Sequence, residues 1–312
     1  MTKSNLDIFL AQPRGFCAGV ERAVQIVEKA LEKFGPPIYV RHEIVHNKYV
    51  VDDLKAKGVI FVENIKDIPK NSITIFSAHG VSEEIEKQAN SNSDIILDAT
   101  CPLVKKVHIQ AQKYENTDHD IILIGHKGHP EVEGTSGRVS KKVILCEREE
   151  DVATLKIADP NKVSYVTQTT LSLDDTESII NKLKERFPNI KGPGLADICY
   201  ATQNRQDAVK KICNKVELLL VIGCKNSSNS NRLKDIGVNN KIASYLIADK
   251  SEIDYNWFNN ISTIGLTAGA SAPEILVEEV ILDLKNKYSV KLDFIGDKTE
   301  NMTFKLPRIL KN

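Results

Sequence analysis

The 312-residue chain has no surplus of either charge: 42 Lys and Arg stand against 42 Asp and Glu, a formal net charge of zero. A protein whose main partner is a polyanion needs a basic excess, so this balance argues against nucleic acid and against anionic membrane surfaces. Long apolar runs are also missing. The longest are of the kind Leu218–Ile222, far short of the ~20 residues a bilayer-spanning helix needs. The polar start Met1–Asp7 leads directly into an aliphatic run, with no charged-then-apolar leader and no Arg/Ser-rich transit segment, so the expectation is a cytoplasmic protein. Neither G-x-x-x-x-G-K-[ST] nor GxGxxG occurs, so a nucleotide or dinucleotide cofactor is not indicated. The six cysteines (17, 101, 146, 199, 213 and 224) contain no CxxC pair, which removes the zinc ribbon and the thioredoxin site. A disulfide framework is not expected either, because cytosolic thiols stay reduced.

What is present is a rhythm of aliphatic run, polar loop and helical pattern. The runs are Ile8–Ala11, Ile38–Val40, Ile73–Phe76, Ile95–Leu97, Ile121–Ile124, Val163–Val166, Ala196–Ile198, Leu218–Ile222 and Thr263–Leu266. They are continuous rather than alternating, as in parallel strands covered on both faces. Helical spacing follows: Val20, Val24, Val27 and Leu31 recur at three and four residues, and Ile179, Ile180 and Leu183 share a face within Asp175–Phe187. Alternating strands and helices predict an α/β fold with mostly parallel sheets.

Three cysteines divide this rhythm into thirds. Cys17, Cys101 and Cys199 each follow a strand-like run and open a helix, 84 and 98 residues apart, about one small domain each. The expectation is three similar α/β domains, over 1–99, 100–195 and 196–289. In open parallel sheets, ligands bind outside the carboxyl ends of the strands. The loops there carry Cys17, His46, Ser77 and His79, then Cys101, His126, His129, Glu131 and Thr169, then Cys199, Asn226, Ser227, Ser228, Asn229, Thr267 and Ser271.

Three distant thiols facing one centre suit zinc or an iron–sulfur cluster. A [4Fe–4S] cluster on three thiols keeps one iron open, where a substrate oxygen can coordinate. Each thiol also stands at a helix start, which favours the thiolate that metals need. Cys146, in the apolar run Val143–Cys146, and Cys213, on the helical face of Val209 and Ile212, read as small core hydrophobes. His108 in a helix and His119 in the turn TDHD read as bystanders, with His42 and His126 between the two groups. Glu131 suits a proton donor or, equally, a carboxylate at a helix N-terminus. The loop KNSSNSNR (225–232) ahead of a helix makes a phosphate cradle or a plain polar turn. GLTAGASAP (265–273) repeats the arrangement with small residues that let backbone approach an anion.

The strings PRGFCAGV (13–20), RHEIVHNKYVV (41–51), FSAHGVS (76–82), DATCPLV (98–104), GHKGHPEVEGT (125–135), TQTTLS (167–172), ICYATQNRQ (198–206), KNSSNSNRL (225–233) and TAGASAPE (267–274) resemble the motifs of the 4-hydroxy-3-methylbut-2-enyl diphosphate reductases, across about nine-tenths of the chain and in the same order. The resemblance implies a three-domain trefoil around a [4Fe–4S] cluster on Cys17, Cys101 and Cys199, with one open iron for the substrate hydroxyl. It implies reductive removal of that hydroxyl from an allylic diphosphate in the non-mevalonate isoprenoid pathway. Glu131 would supply protons with help from Thr169 and His129. The diphosphate would be held by His46, His79, His129, Ser227, Ser228, Asn229 and Ser271. Electrons would come from a separate ferredoxin or flavodoxin. Cys224 departs from the family pattern, where a Ser or Gly is more usual. The tail 290–312 matches weakly, and is expected to return to the first domain. Quinolinate synthase resembles the same trefoil, but a dicarboxylate pocket should use arginines. A non-enzymatic iron–sulfur sensor or carrier would leave His46, His79, Glu131 and the two anion-type loops without a task.

Overall fold

Sheet membership does not follow chain order. In the computed structural model, which describes residues 3–296 and 300–311, every strand pairing is parallel among the described residues. The chain opens on β1 (Asn5–Ala11) and α1 (Ala18–Phe34). It divides into two compact units. The Cys17 unit takes Met1–Cys17, His46–Val50 and Tyr200–Met302; the Cys101–Cys199 unit takes Ala18–Val45, Val51–Cys199 and Thr303–Asn312.

The Cys101–Cys199 unit holds two sheets. Strands β2 (Ile38–Arg41), β3 (Val59–Val62), β4 (Ser72–Phe76) and β5 (Ser93–Asp98) line up as β3-β2-β4-β5. They are connected through α2 (Lys48–Ala56) and α3 (Glu83–Asn90). After α4 (Pro102–Asn116) come β6 (Asp120–Ile124), α5 (Pro130–Ser136), β7 (Ile144–Cys146), β8 (Val163–Thr167) and α6 (Leu173–Arg186), whose strands order as β7-β6-β8. The run Ile121–Ile124 shows why a central strand of this kind carries an aliphatic run. Ile121 and Leu123 pack with Val107 and Ala111 of α4, while Ile122 and Ile124 pack with Ile179 and Leu183 of α6. Both faces are covered, which favours an aliphatic side chain at each of these four positions.

The Cys17 unit holds α7 (Tyr200–Cys213), β9 (Leu218–Ile222), α8 (Ser228–Asn239), β10 (Ala243–Ile247), β11 (Thr263–Ala268), α9 (Glu274–Lys287) and β12 (Ser289–Ile295). Its five-stranded sheet runs β10-β9-β11-β1-β12. Leu218, Leu220 and Ile222 face Val277 and Val280 of α9, and Leu219 and Val221 face Val209 and Ile212 of α7. The opening strand is thus enclosed by strands from the end of the chain, with β12 in register from Asn5↔Ser289 to Ala11↔Ile295. The tail continues against α1: Lys33 Nζ donates to Ile309 O at 2.7 Å and Arg22 Nε to Lys305 O at 2.9 Å. Of the tail 290–312, residues 297–299 and 312 lie outside the described residues.

Two differences from the expected rhythm have physical causes. Ala196–Ile198 is not a strand. Pro193 and Gly194 (φ +65°) turn the chain first, and Ala196 and Ile198 donate to Pro193 O and Leu195 O three residues back. Cys199 therefore follows a tight turn. The four strands missing from the expected rhythm, β3, β7, β10 and β12, are all sheet edges. Half-exposed edges carry mixed sequences such as SVKLDFI.

Candidate active site

In the Cys101–Cys199 unit, a backbone hydrogen bond from each thiol-bearing residue ties its loop to a loop of polar side chains. Cys101 stands at the N-cap of α4 with Pro102 behind it, and its N–H donates to Ala78 O at 3.0 Å. Ala78 adjoins His79, which is buried. Cys199 donates its N–H to Thr169 O at 3.1 Å. Thr169 in turn grips the carboxylate of Glu131: its N–H reaches Oε2 at 3.0 Å, and its Oγ1 lies 3.0 and 2.9 Å from Oε1 and Oε2. Glu131 is 6% exposed, a carboxylate kept from water and held by donors.

The imidazoles are set by local structure. His129 is the N-cap of α5 and its Nδ1 accepts the Glu131 N–H at 3.1 Å, which fixes the ring on the first turn of the helix. The His129 and His79 ring centres are 6.1 Å apart at 89°, and His42 lies 5.7 Å from His79. Gly80 makes the turn after His79 with φ +82°; a Cβ there would lie 2.7 Å from His108 Cε1 and 3.1 Å from Thr100 Cγ2. Only glycine combines that backbone angle with so close a neighbour.

The Cys17 unit builds a second group of donors. Ser227 caps α8, with its Oγ accepting from Ser230 N at 3.3 Å and Ser230 Oγ at 3.0 Å. Asn229 is 3% exposed, yet neither Nδ2 nor Oδ1 has a hydrogen-bonding partner among the described residues; Thr267 Oγ1 is in the same position. The loop after β11 presses on this helix start, since a Cβ on Gly269 would overlap Ser230 Oγ and reach Asn229 Nδ2 at 3.4 Å. His46 joins the group by its backbone and ring: Ser271 Oγ donates to His46 O at 3.0 Å, and Asn226 Nδ2 is 3.4 Å from His46 Nδ1. Ser228, half-buried, is the first residue of α8. Cys17 sits beside the same loop, its N–H donating to Ala270 O at 3.1 Å. A helix N-terminus with serines, an imidazole and an unsatisfied buried amide is suited to an anion.

The remaining thiols separate by burial. Cys146 is fully buried, and burial with Asp151 nearby pushes its thiol up to about 12. Burial also raises Cys213. Both are core side chains, whereas Cys17, Cys101 and Cys199 are half-buried, and none of the six is in a disulfide. Cys224 Sγ accepts the Lys48 N–H at 3.2 Å. His119 departs from the surface turn expected of it: it is buried against Tyr114, with Thr117 Oγ1 2.8 Å from its Nδ1. Sequence reasoning passed over Arg205, fully buried in α7. Its signal was an arginine within the buried stripe of Ala201, Ala208, Val209 and Ile212.

Fold and site define an α/β protein of three parallel sheets whose loops carry helix-heading thiols, a donor-held carboxylate and an anion cradle. No helix among the described residues is long and apolar enough to cross a membrane. The chain belongs to the LytB protein family, whose model matches residues 8–285. It is 54% identical over 302 residues to 4-hydroxy-3-methylbut-2-enyl diphosphate reductase 2 of Bradyrhizobium diazoefficiens, covering 97% of this chain and 98% of the relative. The solved structure of the E-1-hydroxy-2-methyl-but-2-enyl-4-diphosphate reductase from Plasmodium falciparum superposes with a TM-score of 0.93 at 40% identity, covering 98% of this chain and 97% of that one. A second solved reductase, described as the terminal enzyme of the non-mevalonate pathway, gives a TM-score of 0.64 at 32% identity, covering 90% and 99%.

Proposed function

We propose that this chain catalyses the reductive dehydroxylation of (E)-4-hydroxy-3-methylbut-2-enyl diphosphate. Two electrons and two protons are taken up, the C4–O bond breaks, and isopentenyl and dimethylallyl diphosphate and water are formed. The observation that carries this reading is the buried Glu131 carboxylate gripped by Thr169, whose own carbonyl holds the Cys199 N–H. It supports the reading because Glu131 and Cys199 are both bonded to Thr169.

The thiols fit an iron–sulfur cluster as its ligands. Cys17, Cys101 and Cys199 are the half-buried thiols that each head a helix, where the helix dipole favours thiolate. Cys146 and Cys213 are buried with raised pKa and are unsuited to bind metal. A [4Fe–4S] cluster on these three ligands supplies single electrons and an open, Lewis-acidic iron.

The chain's own residues do the rest. Glu131 delivers a proton to the leaving hydroxyl, and Thr169 holds the carboxylate in place by two of its own donors. His129, whose Nδ1 accepts the Glu131 N–H, serves as the relay. Ser227, Ser228 and Asn229 at the start of α8 and Ser271 in the loop after β11, with His46, His79 and His129, bind the diphosphate. These are neutral donors, helix N–H groups and imidazoles, sufficient for one diphosphate on a chain of zero net charge. A ferredoxin or flavodoxin supplies the electrons, and the enzyme works in the cytoplasm.

The test is turnover by anaerobically purified, dithionite-reduced protein, with the diphosphate products separated. Formation of the two five-carbon products is expected. Protein that holds about four irons per chain but leaves the hydroxylated diphosphate unchanged would overturn the reading.

A further inference from the structure

The loop that carries Cys17 is held from two sides. Its N–H groups are bonded to the ends of β12 and β11 and to the loop after β11, Gln12 to Ile295 O at 2.8 Å, Gly15 to Ala268 O at 3.1 Å and Cys17 to Ala270 O at 3.1 Å. Its carbonyls go to one side chain. Arg205 Nη2 and Nε donate to Gly15 O at 2.7 and 3.1 Å, and Nη2 reaches Phe16 O at 3.3 Å. The guanidinium is 0% exposed, so its charge requires a partner. Glu300 provides it: Nη1 lies 3.0 and 3.2 Å from the two carboxylate oxygens, and Asn204 Nδ2 is 3.0 Å from Oε1. Ala201 O accepts the remaining Nη1 bond at 2.9 Å. The planar fork therefore spans a carboxylate on one side and two consecutive carbonyls on the other, a geometry that lysine cannot reproduce.

We infer that Arg205, neutralised by Glu300 of the C-terminal segment, is a positioning residue that fixes the Cys17 thiol for cluster binding. The inference rests on the reading of Cys17 as a ligand. It gives the tail a task the sequence did not suggest: the segment after β12 closes the charge pair on which the Cys17 loop is built. All the groups involved lie in the Cys17 unit.

The test is selective thiol reactivity in the full-length chain, prepared with and without its cluster. In Glu300→Gln, iodoacetamide should label Cys17 of the cluster-free chain about tenfold faster than in wild type, the scale of one hydrogen bond to a charged group. Cys101 and Cys199 should keep their wild-type rates. Chelator-driven loss of iron from the loaded chain should accelerate by a similar factor. Arg205→Lys keeps the positive charge and removes the fork, so it should give the same selective pattern and carries the test should Glu300→Gln not fold. Unchanged Cys17 labelling, or equal acceleration at all three thiols, would overturn the inference. Should wild type hold no iron, the functional reading falls, while the labelling ratio still decides whether Arg205 and Glu300 position the loop.

Discussion

His108 provides the sharpest quantitative prediction. The ring is buried in α4 beneath Gly80, and its Nε2 has no hydrogen-bonding partner among the described residues. Burial, reinforced by the Arg138 and Lys105 charges against the opposing pull of Asp98, lowers its pKa from 6.5 to about 4. The folded state thus keeps His108 neutral, while the unfolded chain protonates it at 6.5. Between those values the unfolded state binds more protons, so stability is full above pH 6.5 and falls as the pH drops towards 4. A shift of that size costs about 3 kcal/mol once both states are protonated, of which about 2 kcal/mol is already lost at pH 5 and almost none at pH 7. His108→Leu replaces a ring that lacks a partner at Nε2 with an apolar group and abolishes the titration. Urea unfolding of wild type and variant, prepared alike, at pH 5, 6 and 7 checks the difference. The variant should lose about 2 kcal/mol less than wild type between pH 7 and pH 5. An identical pH dependence in the two proteins would show that His108 does not titrate on unfolding and would refute the reasoning.

Thr169→Val removes the hydroxyl from the Glu131 carboxylate but keeps the Thr169 backbone donor. The catalytic rate should fall by about ten- to a hundredfold, the equivalent of one hydrogen bond to a charged group, while substrate binding, measured by calorimetry, changes little. Among the thiols, Cys17→Ser, Cys101→Ser and Cys199→Ser should each lose iron and activity. Cys213→Ser should keep both and lose only about 1–2 kcal/mol of stability by burying a hydroxyl; equal iron loss in all four variants would sink the ligand assignment.

The sequence revealed those parts of the fold whose constraint is local and two-sided. Strand β9 is legible because both its faces are covered, so five consecutive positions must be aliphatic. Helix α1 is legible as a helix by its period, but its buried stripe is Gly19, Ala23, Ile26, Val27 and Ala30, which shares only Val27 with the spacing Val20, Val24, Val27 and Leu31. Edge strands escape the same reading: β12 needs only its register against β1, and Val290, Leu292 and Phe294 alternate with polar residues. Sheet membership escapes it entirely, because nothing within Asn5–Ala11 marks its neighbours as Thr263–Ala268 and Ser289–Ile295. The same holds for His46, whose segment groups with the C-terminal part of the chain, where Ser271 and Asn226 meet it.

For the site, residue type was legible and the supporting contacts were not. A thiol at a helix start or a Ser-Asn run ahead of a helix carries its chemistry in a few consecutive residues. The grip of Thr169 on Glu131 spans 38 residues, and that of Arg205 on Gly15 spans 190. Such contacts leave only an anomaly behind, such as an arginine on an apolar helical face or a glycine where a helix or loop must come close. Buried, charged Arg205 would destabilise the Cys17 unit without a counter-charge, so its presence in ICYATQNRQ already required an acidic partner somewhere in the chain. The weakly matched tail supplies that partner in Glu300. A segment with little motif character can therefore be as tightly constrained as the motifs themselves, through a single side chain whose partner the local sequence does not disclose.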